Sequence, residues 1–304
     1  MPEVALSLNF RRRSAMSLLL LLGPVKTILI AAAVFVPFER VAAANRAQRI
    51  FRRGWATDLV TGVANGLVLY ALLLALLGGV DALAAVSAPR MRVWAHAQPL
   101  WAQSLVAIAI GDLGIYAVHR LQHTVPWLWK FHAVHHSAEE MDWLVAFRFH
   151  PLDLFLSRVA SLAPLIALDL TPEAVAVFIA VFGWQSWLVH ANVRVPYGPL
   201  RWALVSPEFH HWHHAADRDA YDTNFASVLS CWDVLFGTAR LPRGRRPERF
   251  GVSDPIPAGY LKRFCYPFRR TASTPKTAIE PEPRGNDAAV EPEPARRWSP
   301  YGVA

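Results

Sequence analysis

The sequence has few charged residues and few cysteines. Only 18% of its 304 residues are charged, whereas 54% are hydrophobic. This balance is too apolar for an ordinary water-soluble domain and favours a membrane protein. The two cysteines, Cys231 and Cys265, lack the paired spacing of a metal site. Neither a disulfide framework nor a cysteine-based zinc site is therefore expected.

Several cofactor and protease motifs are also missing. The sequence has no cysteine-rich iron–sulfur run and no GxGxxG dinucleotide fingerprint, so we expect no fused electron-transfer domain. Glu139 and Glu140 follow His136, but no histidine completes an HExxH motif. A zinc protease is therefore a weak alternative.

The net charge of +8 comes from arginines that cluster beside apolar segments. Such clusters are typical of cytoplasmic flanks that face anionic lipid headgroups. The charge therefore needs no nucleic-acid partner, and none is expected. The arginine-rich segment 40–53 is expected to lie on the cytoplasmic leaflet, either as a surface helix or as a loop.

Apolar segments near the length of a membrane-spanning helix recur along the chain. They cover residues 16–37, 57–79, 99–118, 154–170 and 172–190. A cleaved signal peptide is the alternative for 16–37, which is disfavoured because the segment is longer than a usual signal core and more spans follow. The last two segments predict a helical hairpin. If 40–53 is cytoplasmic, every histidine-rich segment lies on the cytoplasmic side.

These segments divide the chain into four parts. Residues 1–56 hold an apolar span and the basic segment, and residues 57–240 hold a membrane domain with a cytoplasmic cap. Residues 241–269 form a basic cytoplasmic segment, and the tail 270–304 is expected to be disordered because it lacks apolar periodicity. The predicted fold is all-α: a polytopic membrane helical bundle with a cytoplasmic, histidine-rich helical cap.

Eight of the twelve histidines form three spaced groups. His119 and His123 form HxxxH, His132, His135 and His136 form HxxHH, and His210, His213 and His214 form a second HxxHH. Offsets of three and four residues direct at least two imidazoles of each group the same way, toward a metal. One zinc ion needs only three or four ligands, so this number of histidines predicts two metals with open positions. Imidazole suits zinc, copper, iron and nickel, so the spacing leaves the metal open.

The other four histidines are single residues. His150 and His190 lie at the membrane-proximal ends of the predicted hairpin, where each could complete the coordination. The alternatives are that His150 caps a helix and that His190 bonds to Asn192. His211 is expected to point away from the metals or to contact their ligands, and His96 is expected to have no role.

The order of these motifs resembles the fatty acid hydroxylase and sterol desaturase superfamily. The similar region covers roughly residues 105–240 and includes the histidine groups, the hairpin, SPEFHHWHHA and YDTNFASVLSCWDVLFGT. The resemblance implies a di-iron centre. Its implied ligands are His119, His123, His132, His135, His136, His190, His210, His213 and His214, with His150 as a tenth.

The resemblance also implies an activity. The chain would use two Fe ions and O2 to hydroxylate or desaturate a lipid taken from the bilayer. Electrons would come from a separate redox partner, such as a reductase with ferredoxin or a cytochrome b5-type protein. No catalytic residue separate from the metal site is expected. The protein would be an integral membrane protein, with its metal site on the cytoplasmic face of a bacterial inner membrane.

Six further residues are expected around the ligands. They are Asp112, Tyr116, Asn192, His211, Trp232 and Asp233. Asp112 and Tyr116 lie seven and three residues before His119 and can share its helix face. Trp232 and Asp233 lie in the WDVLFGT ending that is similar to the family's, where they would support the cap. Ordinary packing explains these positions equally well.

Two other functions fit part of the pattern. A membrane metal-binding or metal-transport protein without oxygenase activity is the main alternative, but transport favours ligands near the bilayer midplane rather than at the ends of spans. A bis-histidine haem protein would not need three histidine groups. Within the oxygenases, a sterol or carotenoid substrate is the alternative to a fatty-acyl one.

Overall fold

The computed structural model describes residues 22–84, 93, 95–242 and 244–269. Every named element within these ranges is a helix, and β-type pairing there is limited to isolated bridges. The all-helical class is therefore confirmed. The tail 270–304, for which disorder was predicted, and the beginning of the predicted span 16–37 lie outside the described residues.

Nine α-helices are named in the described part of the chain. They are α1 (Gly23–Val41), α2 (Trp55–Ala84), α3 (Leu100–Thr124), α4 (Pro126–His136), α5 (Pro151–Ala167), α6 (Pro172–His190), α7 (Pro207–His213), α8 (Cys231–Leu235) and α9 (Tyr260–Cys265). Short 3-10 helices lie at Trp143–Phe147, Gly198–Trp202, Arg218–Ala220 and Tyr266–Phe268. Between α1 and α2 the chain is a loop, so the loop alternative for the arginine-rich segment is the one observed.

Two described helices, α3 and α6, are long and apolar enough to cross a membrane. They coincide with the predicted spans 99–118 and 172–190. The helix α5 has 17 residues and is joined to α6 by a short turn, in which Asp169 has a φ of 51°. The predicted hairpin is therefore present as two consecutive helices joined by a turn, and both of them pack against α3. The polytopic bundle and its cytoplasmic cap stay predictions.

The helix α3 packs between α5 and α6 at the centre of the molecule. Its Ala107 lies in an apolar core with Leu162 of α5 and Phe178 of α6. Gly114 brings α3 so close to α5 that a Cβ atom there would collide with the Ala160 carbonyl oxygen. The two backbones therefore touch where glycine stands, and this contact fixes the distance between the helices that carry His119 and His150.

Replacing Gly114 by alanine is expected to destabilise the protein by about 1–3 kcal/mol, because the added methyl group meets backbone that cannot rotate away. Thermal unfolding of the detergent-purified variant measures the loss. Gly183→Ala is the matched control, since a Cβ at that helical position has nothing within 4 Å. Equal melting temperatures for the two variants would show that α3 and α5 are not in tight contact.

A buried group of charged residues joins segments that are far apart in the sequence. The Asp58 carboxylate of α2 accepts hydrogen bonds of 2.8–2.9 Å from Arg52, Arg148 and Arg263. Arg52 also donates to Asp142 at 2.6 Å. Charged groups are buried at low cost only when they are paired in this way. The loop before α2, the segment before α5 and the helix α9 are thereby held together.

Candidate metal centre

Nine of the ten histidines expected as ligands lie in two buried groups. The five-histidine group contains His119, His123, His132, His136 and His213, and the four-histidine group contains His135, His190, His210 and His214. Within each group the potential ligand atoms all lie within 4.8 Å of one another. Each group is therefore compact enough to surround one metal ion.

Local helix geometry explains how each HxxHH motif serves both groups. In α4, His132 and His136 are four residues apart and share one face, whereas His135 points to the other group. The helix α7 repeats the pattern in the opposite sense, because His210 and His214 enter the four-histidine group and His213 enters the other. Each short helix therefore lies between two neighbouring sites.

Prolines and a cap fix where these helices begin. Pro126 and Pro207 stand at the first turns of α4 and α7, where the missing N–H of proline has no cost. The Ser206 side chain also accepts a hydrogen bond from the Phe209 N–H at 3.1 Å. These signals set the helical register, and the register sets the direction of each imidazole.

Five of the rings are oriented by hydrogen bonds from Nδ1 to oxygen acceptors. The distances are 2.6 Å from His119 to the Phe225 carbonyl, 2.9 Å from His132 to the Asp153 carboxylate, 3.2 Å from His135 to the Arg148 carbonyl, 2.6 Å from His190 to the Ser186 carbonyl and 2.8 Å from His213 to the Thr223 carbonyl. A carbonyl or carboxylate oxygen can only accept, so Nδ1 of each ring carries the proton. In the neutral ring, Nε2 then keeps its lone pair.

The Nε2 atoms of four of these rings face one another in pairs. His119 and His132 are 3.0 Å apart at Nε2, and His135 and His190 are 3.2 Å apart. Two lone pairs cannot form a hydrogen bond, so each contact is repulsive unless a cation lies between the nitrogens. Two nitrogens about 2.1 Å from one metal and at right angles are about 3.0 Å apart. The donor set therefore fits one metal ion in each group.

Protonation does not relieve this repulsion. Burial lowers the pKa of His135, His136, His210 and His214 well below its ordinary value, and the neighbouring histidines lower it further. These four rings are neutral at pH 7, and each keeps a lone pair that a metal can use.

His150, which was predicted as a tenth ligand, does not join either group. It is the N-cap of α5, where its Nδ1 accepts a hydrogen bond from the Leu152 N–H at 3.0 Å. Its Nε2 donates to the Phe264 carbonyl at 3.1 Å. The physical reason is Pro151, which starts the helix and leaves His150 in the capping position. The capping alternative is the one observed.

Asp112 and Asp233 support the centre from a distance. Together their carboxylates accept hydrogen bonds from the five consecutive backbone N–H groups of residues 225–229. That segment includes the Phe225 carbonyl, which accepts the hydrogen bond from His119 Nδ1. Both aspartates therefore hold the acceptor that orients a histidine, rather than the histidine itself.

Three of the other four residues expected around the ligands form hydrogen bonds elsewhere. The partners are Thr238 for the Tyr116 hydroxyl, Asn45 for the Asn192 amide and the Ala191 carbonyl for the His211 ring. Trp232 packs beside the apolar cluster that contains Tyr116 and Phe225. These side chains stabilise the surroundings of the centre.

Asp153 is the residue near the centre that the sequence analysis missed. Its carboxylate is fully buried. One oxygen accepts a hydrogen bond from His132 Nδ1, and the other accepts one from the Gln122 side-chain N–H at 2.8 Å. A carboxylate that orients a histidine ligand is a common feature of metal sites. The sequence feature that could have indicated this role is the position of Asp153, in the first turn of the helix that begins after His150.

Replacing Asp153 by asparagine is expected to weaken metal binding by about 10–100-fold, because the amide no longer fixes the His132 tautomer by charge. Metal retention during titration with a chelator measures the change. Asp219→Asn removes an exposed carboxylate that pairs with Arg240 and is the matched control. Identical chelator curves for both variants would contradict a role for Asp153 in holding the metal.

A cavity of about 570 Å3 connects the two groups to the apolar interior. Histidines of both groups line it, among them His119, His132, His135 and His190. From there it extends between α1, α2, α5 and α6, where most of its lining is apolar or aromatic. A hydrocarbon chain in this cavity would lie directly beside the Nε2 atoms.

The fold and the site define a helical protein with two adjacent histidine sites that open on one apolar cavity. Residues 104–238 match the family model described as fatty acid hydroxylase. Over these residues the chain is therefore similar to the fatty acid hydroxylase family, and the predicted resemblance to this superfamily is confirmed.

Three relatives illustrate the family. The chain is 32% identical to an ornithine lipid hydroxylase from Rhizobium tropici, over 58% of this chain and 54% of the relative. It is 35% identical to the human alkylglycerol monooxygenase over 48% of this chain and 32% of that enzyme. Cholesterol 25-hydroxylase from Rattus norvegicus is 28% identical over 47% of this chain and 48% of its own length. The chain thus spans between a third and about half of these relatives, and no solved structure matches it.

Proposed function

We propose that the chain is a membrane di-iron oxygenase that uses O2 to hydroxylate or desaturate a C–H bond of a lipid. The observation that carries this proposal is the facing pairs of Nε2 lone pairs at the end of an apolar cavity. The relatives act on lipids as hydroxylases and monooxygenases, which agrees with that chemistry.

The five-histidine and four-histidine groups would each hold one iron ion. Bound iron would supply the activation of O2 and the removal of hydrogen from an unreactive carbon. Hydroxylation consumes one O2, two electrons and two protons and yields the alcohol and one water. Desaturation consumes the same reactants and yields the alkene and two waters. A separate redox partner would deliver the electrons.

The protein's own side chains would orient and enclose the reacting lipid. Apolar groups of α5 and α6, such as Leu154 and Ile179, would exclude water from the hydrocarbon chain. The hydrogen bonds at Nδ1 would keep the imidazoles directed toward the metals while the lipid binds. We also propose that α3 and α6 span a bacterial inner membrane and that the histidine groups lie at its cytoplasmic face, where a soluble electron donor has access.

Isotopically labelled O2 tests the proposed reaction. Iron-loaded protein would be incubated with lipid extract and a reductant under labelled O2, and the lipids would be analysed by mass spectrometry. Hydroxylation is expected to place one labelled oxygen in a lipid, and desaturation to remove two hydrogens only when O2 is present. His96→Ala is expected to retain the reaction, because its ring contacts Asp169 and belongs to neither histidine group. No oxidised lipid with iron-loaded protein would contradict the proposal.

A further inference from the structure

One charged side chain lines the cavity without an acidic partner. Arg158 of α5 lies in the same cavity wall as the histidines, and the described lining residues include no Asp or Glu. The Arg158 Cζ atom lies 4.7 Å from the centre of the Phe182 ring. No described carboxylate lies within ion-pair distance of its guanidinium.

Arg158 is half-buried in this largely apolar wall, where an anion would stabilise its charge. Arginine stays protonated in proteins, and its guanidinium has five N–H donors. The Phe182 ring offers only part of the stabilisation that an anion would give. The arginines around Asp58 show the ordinary arrangement in this protein, since each of them donates to a buried carboxylate. Arg158 is therefore placed to receive an anion from outside the chain.

A second polar side chain in the cavity has a hydrogen-bond acceptor without a partner among the described residues. Asn65 of α2 is only 4% exposed, and its Nδ2 donates to the Phe149 carbonyl at 2.7 Å. Its Oδ1 has no hydrogen-bond partner among the described residues. The Phe149 ring stacks on His135 with centres 4.1 Å apart, so Asn65 is close to the four-histidine group. The cavity therefore suits a lipid with polar groups better than a plain hydrocarbon.

We propose that Arg158 binds an acidic group, a carboxylate or a phosphate, on the lipid that enters the cavity. This inference rests on the proposed function and specifies its substrate class. Arg158 is five residues beyond Asp153, about 7.5 Å along the helix axis. The acidic group is thus held inside the cavity beside the histidine groups, and a guanidinium can bind either acid through two parallel hydrogen bonds.

Binding of three amphiphiles with the same chain tests this inference without catalysis. Palmitate, hexadecyl phosphate and hexadecanol differ only in the headgroup, and the tryptophans Trp184 and Trp187 in the cavity wall report binding by fluorescence. Wild-type protein in neutral detergent is expected to bind at least one acid about tenfold or more tightly than the alcohol. The tighter of the two acids identifies the headgroup as carboxylate or phosphate.

Two variants assign the preference to Arg158. Arg158→Gln is expected to lose the preference through weaker acid binding, with hexadecanol affinity changed less than about twofold. Arg158→Lys is expected to keep part of it, because the charge remains while the two parallel hydrogen bonds of the guanidinium are lost. Equal thermal unfolding of both variants and of the wild type establishes that each is folded. Lack of any preference in the wild type, or its persistence in Arg158→Gln, would overturn the inference.

The same assay separates this inference from the proposed function. Binding needs neither iron nor O2, so an acid preference can be measured even if no oxidised lipid is ever formed. Conversely, if the protein oxidises lipid but binds the acid and the alcohol equally, the role of Arg158 is refuted and the proposed function stands.

Discussion

Lipid oxidation is expected to fall by about 10³-fold or more when either His135 or His213 is replaced by alanine. The two residues belong to different groups, His135 to the four-histidine group and His213 to the five-histidine group. A reaction that needs both metals is lost when either site is damaged. The measurement is the initial rate of product formation with saturating lipid, O2 and reductant.

The control for this prediction is another histidine. His96→Ala should keep at least half of the wild-type rate, because its side chain is about half exposed and lies outside both groups. Near wild-type activity in His135→Ala or in His213→Ala would show that the corresponding group is not part of the oxidising centre. The di-iron proposal would then reduce to one metal site.

Replacing Asp58 by alanine is expected to cost about 3–5 kcal/mol in the free energy of unfolding. The change leaves Arg52, Arg148 and Arg263 without their shared carboxylate in a buried place. The change should also weaken metal binding, because the Arg148 carbonyl accepts the hydrogen bond that orients His135. Denaturant unfolding in detergent, with metal content measured in parallel, records both consequences.

Asp219→Ala provides the comparison for Asp58. Asp219 also pairs with an arginine, Arg240, but both side chains are exposed, and such pairs contribute about 0–1 kcal/mol. A loss of equal size for the two variants would mean that the Asp58 group is not desolvated. The link between the N-terminal helices, α9 and the histidines would then have no energetic basis.

The sequence predicted nine of the histidines that the structure brings together, but not how they are divided between the two groups. Spacing shows that His132 and His136 share a helix face, since residues four apart are neighbours on a helix. The same rule is silent about His135, which contributes to a different group from its neighbours in the motif. That division depends on how α4 and α7 face each other, and tertiary packing decides it.

Single histidines were harder to assign than the motifs. His150 and His190 both stand at ends of the hairpin, yet only His190 enters a group. The difference is local: His190 lies in the last turn of α6, whereas Pro151 makes His150 a helix cap. The pair His150–Pro151 indicates this cap in the sequence, because proline favours the first turn of a helix and the preceding residue then caps it.

Contacts between distant segments could not be derived from the sequence. His119 bonds to the carbonyl of Phe225, 106 residues later, and Asp58 pairs with Arg263 across 205 residues. No periodicity or spacing rule connects such positions. Similarly, the apolar pattern predicted the spans that became α3 and α6, but it does not reveal the cavity between the helices.

The metal content of the detergent-purified protein tests the central claim most directly. Elemental mass spectrometry after anaerobic iron loading is expected to find about two irons per chain in the wild type and about one or fewer in His135→Ala and in His213→Ala. His96→Ala should retain both irons. Wild-type protein that holds no iron after loading would contradict the account, whatever lipid it binds.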